Sequence, residues 1–151
     1  MRSGEVVSKP VISQIAHGST EYEATVALRR AILREPLGLD FSQQELNDER
    51  ADFHVACYDG GELIGCLVLV PQPDGVVKMR QVAVAPHAQR RGIGRALTEF
   101  AEQFARQQGF IEMTLHARTT AVPFYEKLGY ERVGEEFEEV TIPHWAMRKA
   151  L

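Results

Sequence analysis

The chain has 151 residues, 44% of them hydrophobic and 25% charged, which fits one soluble globular domain spanning 1–151 with a real core. A net charge of −4 argues against nucleic acid as a partner, because binding to duplex phosphates needs a basic face. No apolar run approaches the roughly 20 residues of a membrane span, so a membrane is not expected as a partner either.

The segment Met1 to Pro10 is polar and lacks the apolar stretch of a signal peptide, so a cytoplasmic protein is expected. Val11 to Ala16 suits a first strand. Thr20 and Glu23 have capping-box spacing, and Ala24, Ala27, Leu28, Ala31 and Ile32 then recur at helical spacing until Pro36. In this helix Arg30 and Arg34 share one exposed face, and with Arg29 they offer cations for solvent or for an acceptor carboxylate. A short helix is expected from Ser42 to Asn47. Phe53 to Tyr58 and Leu63 to Val70 read as a hairpin around Asp59-Gly60-Gly61-Glu62. Cys57 and Cys66 fall inside these neighbouring strands as buried free thiols, and two cysteines make no disulfide framework.

The next strand carries an irregularity. Val77 and Met79 alternate, then Val82 and Val84 follow one residue out of phase, so a bulge is expected near Arg80 or Gln81. After it come Gln89-Arg90-Arg91-Gly92-Ile93-Gly94-Arg95-Ala96, and then an apolar stripe of Ile93, Ala96, Leu97, Phe100, Ala101 and Phe104 that Gly109 ends. Strand, glycines among arginines, then helix is a trap for an anion: the helix start exposes N–H groups, and glycine lets a phosphate approach the backbone. The position three residues after Gly94 is Leu97, so the dinucleotide fingerprint fails, and the phosphate-loop pattern is absent.

Ile111, Met113, Leu115 and Ala117 alternate with Glu112, Thr114, His116 and Arg118, a half-polar strand. Thr119 or Thr120 is expected to cap a short helix that starts near Pro123 and ends at Gly129, with Phe124, Leu128 and Tyr130 in the core. Two strands, around Glu131 to Val140 and His144 to Lys149, close the chain. The order implies an α/β fold, a central mixed sheet flanked by helices. Glu135, Glu136, Glu138 and Glu139 read as a solvated strand edge, since neighbours face opposite sides. An exposed last strand also offers an edge on which a second copy could pair as a homodimer. There is no Cys-x-x-Cys, His-Glu-x-x-His or Gly-x-Ser-x-Gly, so no metal and no serine nucleophile is expected.

Gln89-x-x-Gly92-x-Gly94 after Val82-Ala83-Val84 resembles the acetyl-CoA signature of the GCN5-related N-acetyltransferase (GNAT) superfamily. Ala121-Val122-Pro123-Phe124-Tyr125-Glu126-Lys127-Leu128-Gly129-Tyr130 resembles its second signature, in the usual order and separation. The resemblance is strong over Gln81 to Tyr130. It implies the GNAT acyl-CoA N-acyltransferase fold and direct transfer of an acetyl group from acetyl-CoA to a primary amine, on a small molecule or a peptide, in a ternary complex. Acetyl-CoA is then a co-substrate. Its pyrophosphate is expected on the amides of Arg90 through Ala96, with side-chain contacts from Gln89, Arg90, Arg91 and Arg95. Its pantetheine is expected along Val82, Ala83 and Val84. The thioester oxygen is expected at a bulge N–H, which would stabilise the oxyanion.

Tyr125 stands at the resemblance's acid position, and a phenol is protonated at neutral pH. His116, on the polar face where the sheet should open, and His144, at the start of the last strand, are candidates for the base and the acceptor pocket. Arg118 stands where the second signature often has Asn, and it cannot accept a hydrogen bond as Asn does. The alternative reading is a non-catalytic acyl-CoA-binding or sensory module.

Overall fold

Four strands form an antiparallel meander: β1 (Val11–Ile15), β2 (Phe53–Asp59), β3 (Glu62–Pro71) and β4 (Val76–Val84). The computed structural model describes residues 9–151, so the reading of Met1 to Pro10 as lacking a leader falls almost wholly outside the described residues. At the β2–β3 turn Gly60 and Gly61 both have positive φ, 59° and 85°, which a two-residue hairpin of this hand requires. A crossover through α3 (Ile93–Gln107) then places β5 (Glu112–Arg118) parallel to β4. The short α4 (Val122–Lys127) leads to the hairpin of β6 (Glu131–Glu139) and β7 (Ile142–Ala150). The sheet order is β1-β2-β3-β4-β5-β7-β6, so β7 is inserted beside β5 and β6 is the exposed edge.

Two layers of helix cover the sheet. Adjacent residues of β3 point to opposite faces. Gly65 lies beneath Leu97 and Ile93 of α3, and a Cβ there would meet Leu97 Cδ1 at 2.9 Å, so any larger residue would have to displace the Leu97 side chain at this close helix–strand contact. Cys66 lies beneath α1 (Thr20–Arg29), its Sγ 4.0 Å from the Thr25 carbonyl. Both cysteines are free and buried, as expected. The core on the α3 face holds Val55, Leu67, Leu69, Val77, Met79, Leu97, Ala101, Met113 and Leu115, all almost fully buried. Each large side chain buried in this way stabilises the fold by about 1.5–3 kcal/mol before entropy is counted.

Several local expectations are corrected. Ser19, not Thr20, caps α1: it has the extended backbone, and its side chain accepts from the Tyr22 N–H at 3.1 Å. The first helix does not run regularly to Pro36. It changes to a π-helical turn over Arg30–Arg34 and a 3₁₀ turn over Glu35–Leu37. α2 (Gln43–Asp48) has a complete capping box from Ser42 and Glu45. Neither Thr119 nor Thr120 caps α4, which grows out of a 3₁₀ turn over Thr119–Ala121. Phe124 is 40% exposed rather than core.

Candidate active site

The sheet opens between β4 and β5. The two strands pair only from Val76 opposite Glu112 to Met79 opposite Leu115. Beyond that point β4 bulges, as its out-of-phase valines imply. Its register with β3 moves from Arg80 opposite Val68 to Ala83 opposite Cys66, and Gln81 sits at φ +57°. A bulge bends its strand and strengthens the local twist, which separates β4 from β5. The Gln81 Oε1 atom is buried without a hydrogen-bond partner among the described residues.

The wedge between the strands is a cleft of about 380 Å³. β4 contributes Arg80, Gln81 and Val82, and β5 contributes His116, Ala117 and Arg118. Tyr125 enters from α4, Glu139 and His144 from the β6–β7 hairpin, and Leu33, Leu37 and Leu39 from the turns after α1. All three residues expected to do proton chemistry, Tyr125, His116 and His144, therefore line one cavity.

Tyr125 is buried, and desolvation alone pushes its phenol up to about 12. It is a protonated group at any physiological pH. Phe124 and Tyr130 pack edge-on against it at ring separations of 5.0 and 5.7 Å. Tyr130 in turn donates to the buried Glu102 at 2.8 Å, and Lys149 closes that pair at 2.9 Å. The Tyr125 ring thus stands on a fixed aromatic and ionic base.

The two histidines meet at Glu139, which sequence reading assigned to a solvated edge. His116 Nδ1 lies 3.0 Å from one carboxylate oxygen of Glu139, and His144 Nε2 lies 3.6 Å from the other. A carboxylate only accepts, so His116 Nδ1 carries a proton, and in the neutral form of the ring Nε2 is then the nitrogen with the lone pair. The Lys78 ammonium, 3.4 Å from the same Nδ1, is the weaker neighbour. His144 Nδ1 lies 2.7 Å from the Ile142 carbonyl and donates to it, while its Nε2 faces the Glu139 carboxylate. Phe137 packs against both imidazoles. Burial pushes the Glu139 carboxyl up, but the His116 hydrogen bond and the charges of His116, His144 and Lys78 outweigh it and hold it below its usual range. No single segment signals this cluster: β5 supplies one histidine, and the ends of β6 and β7 supply the rest.

The glycine loop lies at the α3 end of the cleft strand. Arg90 has φ +67° and Gly92 +78°, with Arg91 between them at no positive φ, and this alternation turns backbone N–H groups toward one side as an anion nest. Gly92 caps α3 from the left-handed region, so no side chain accepts from the first-turn N–H groups. The first turn of α3 holds no acidic residue. A Cβ on Gly92 would meet nothing within 4 Å, so its need is conformational rather than steric. At Gly94 a Cβ would lie 3.5 Å from the exposed Phe124 ring, which therefore stands beside the helix mouth. Ile93 is buried and anchors the turn, while Ala96 donates its N–H to the Gly92 carbonyl.

The side chains around the loop are mostly engaged. Gln89 donates to the Val84 carbonyl at 3.1 Å and so ties the loop to β4. Arg91 pairs with Asp59 at 2.9 Å, and Arg95 with Glu99 at 2.6 Å. Ala83 is buried, while Val82 and Val84 are half-buried on the opened stretch of β4. Among the described residues no group of three or more His, Cys, Asp or Glu could hold a metal ion.

The second wall of the cleft rests on Arg29, which is fully buried rather than solvated. It grips Glu49 through both terminal nitrogens at 2.9 and 2.5 Å, while Tyr22 donates to the same carboxylate at 2.8 Å. Arg30 pairs with Asp40 and Arg34 with Glu45. Arg29 and Arg34 also lie over the Phe41 ring, at 4.7 and 4.2 Å.

Comparison with known proteins agrees with this geometry. Residues 32–151 match the family model described as acetyltransferase (GNAT) domain. The uncharacterised N-acetyltransferase YjcF of Bacillus subtilis is 32% identical over 110 residues, which span 72% of this chain and 78% of that protein. An acyl-CoA N-acyltransferase from Pseudomonas aeruginosa superimposes with TM-score 0.81 at 24% identity, covering 94% of this chain and all of the other. A GNAT family acetyltransferase from Elizabethkingia anophelis with acetyl-CoA bound gives 0.72 at 18% identity, covering 94% and 98%. The chain belongs to the GNAT family of N-acetyltransferases, and its seven-stranded mixed sheet is that family's fold.

Proposed function

We propose that the protein moves an acetyl group from acetyl-CoA directly to a primary amine, with both substrates bound in the β4–β5 cleft. The observation that carries this reading is one cavity lined by a protonated, buried phenol and by a histidine whose tautomer a carboxylate fixes.

Acetyl-CoA would supply an activated acetyl thioester. The backbone from Arg90 to Ala96 suits its pyrophosphate, because the nest and the uncapped helix start offer N–H groups that no acidic side chain competes for. Val82, Ala83 and Val84 suit the pantetheine arm, since β4 loses β5 as a neighbour beyond Met79. The Gln81 bulge re-aims a backbone amide where negative charge develops on the carbonyl oxygen. His116 accepts through Nε2 the proton that the amine gives up, and Glu139 holds the imidazole in the required tautomer. Tyr125 donates its proton to the departing sulfur. The two proton groups approach from opposite faces of the sheet: His116 is in phase with Lys78 on the α1 face, and Tyr125 stands on α4. His144 closes the acceptor side.

The test is Tyr125→Phe, measured by CoA release and by calorimetry with acetyl-CoA. Turnover should fall about 100-fold, with the Kd for acetyl-CoA within about twofold. Unchanged turnover would remove Tyr125 as the acid. Failure of the wild type to release CoA with any amine would remove the activity itself.

A further inference from the structure

The cleft wall carries an unbalanced charge. It holds three guanidinium groups, Arg34, Arg80 and Arg118, and two imidazoles, against the single carboxylate of Glu139. Arg34 is held by Glu45 at 3.3 Å, and Glu139 by His116. Arg80 and Arg118 make no hydrogen bond or ion pair with any described residue. They flank the opening: Arg80 follows the last β4–β5 pair, and Arg118 ends β5. Strand alternation puts Arg80 in phase with Lys78 and Arg118 in phase with His116, on the α1 face and away from α3.

Arg80 also borders a recess lined by Glu45, Asp48, Glu49 and Asp52. Three of these carboxylates have partners of their own. Glu45 takes Arg34 and the Ser42 N–H, Asp48 takes Gln44, and Glu49 takes Arg29 and Tyr22. Burial, then the charge of Glu49, pushes the Asp52 carboxyl up, and the charge of Arg80 opposes that rise. Arg80 thus feels the charge of Asp52 across the recess but is bound by no carboxylate there, and its guanidinium donors stay open toward the cleft.

We infer that the amine acceptor also carries an anionic group, a carboxylate or a phosphate, which Arg80 and Arg118 bind while its amine faces His116. The inference rests on the acetyltransferase reading and narrows it. Leu33, Leu37 and Leu39 complete the wall and suit a short apolar spacer between the two polar ends.

The experiment measures kcat/KM over matched acceptors: amino acids, their amides, the corresponding plain amines and diamines, and aminoalkyl phosphates. Carboxylates or phosphates should exceed their neutral and cationic counterparts about 10–100-fold, as one or two charge-assisted contacts imply. In Arg80→Gln/Arg118→Gln that ratio should collapse through KM, while acetyl-CoA affinity and turnover of the neutral amines stay unchanged. The carboxylate and phosphate arms distinguish the two anions. Equal or better use of amides or diamines, or an unchanged ratio in the double variant, would overturn the inference. A loss of acetyl-CoA affinity in the double variant would also overturn it, by assigning these arginines to the co-substrate. No CoA release from any acceptor, with acetyl-CoA still bound, would sink the acetyltransferase reading and this inference with it.

Discussion

The glycine loop and the histidine wall of the cleft are built by different means. At the glycine loop, main-chain conformation makes the site: Arg90 and Gly92 are left-handed, the first turn of α3 is uncapped, and two of the nearby arginines are engaged by carboxylates, Arg91 by Asp59 and Arg95 by Glu99. At the wall proposed for the acceptor, side chains from distant segments make it: Glu139 joins His116 to His144, and Arg29 joins α1 to the turn before β2. A backbone site is set by local sequence and tolerates change in its side chains. A side-chain site depends on pairs that the chain brings together only on folding. Breaking one member of each kind tests the contrast.

The largest effect is expected at Arg29. Its guanidinium is fully buried against Glu49, and removing one partner leaves a buried charge unpaired. Arg29→Ala should lose about 3–5 kcal/mol in urea unfolding. Glu49→Gln should lose a comparable amount, since it leaves the buried Arg29 guanidinium without a counter-charge and its amide nitrogen cannot accept from the second Arg29 nitrogen. If Arg29→Ala cost under about 1 kcal/mol, the acceptor wall would have some other anchor.

Next comes the loop. Gly92→Asp/Gly94→Asp adds two acids where the pyrophosphate is expected and forces a Cβ into a backbone at φ +78°. Acetyl-CoA affinity should fall about 100-fold or more by calorimetry, equivalent to about 2.7 kcal/mol. Stability should change far less than in Arg29→Ala. Retained affinity would take the pyrophosphate away from this loop.

The same contrast explains what the sequence could reveal. The loop, the bulge and Tyr125 were legible because each is written within a few consecutive residues: glycine spacing, two valines out of phase, a tyrosine in a short helix. The order of the sheet elements was legible for the same reason. Glu139 was hidden because alternation along β6 is broken. Its register with β7 moves from Val133 opposite Ala146 to Phe137 opposite His144, with Gly134 at φ +74°, so face assignments made from the first glutamates do not carry to the last. Arg29 was not set apart from Arg30 and Arg34 because its partner Glu49 lies 20 residues away.

A third experiment probes the histidine pair. Glu139→Gln should lower turnover about 10-fold with acetyl-CoA affinity intact, because a neutral amide fixes the His116 tautomer less firmly. It also makes a pH prediction. The Glu139 carboxyl is held below its ordinary value, so the folded state gains from its ionisation. That gain is present above the unfolded pKa of about 4.3 and fades as pH falls through the lower folded value. The difference in Tm between wild type and Glu139→Gln should be open at about pH 7 and should close toward about pH 3. A difference that stayed constant across this range would mean the carboxylate makes no charge-dependent contact.

The smallest effect is expected at Arg95, and it bears most directly on the contrast. Arg95 was expected to touch the pyrophosphate, yet it is 69% exposed and pairs with Glu99 one turn along α3. An exposed pair of this spacing contributes about 0.3–0.5 kcal/mol to stability. If backbone N–H groups carry the binding, Arg95→Ala should shift Tm by about 1–2 °C at most and raise the Kd for acetyl-CoA by no more than about threefold. The residual change should shrink with added salt, as the screening of an exposed charge requires. A rise of tenfold or more that survives high salt would mean that Arg95 leaves Glu99 on binding and takes hold of the phosphate. The loop would then be a side-chain site like the wall opposite.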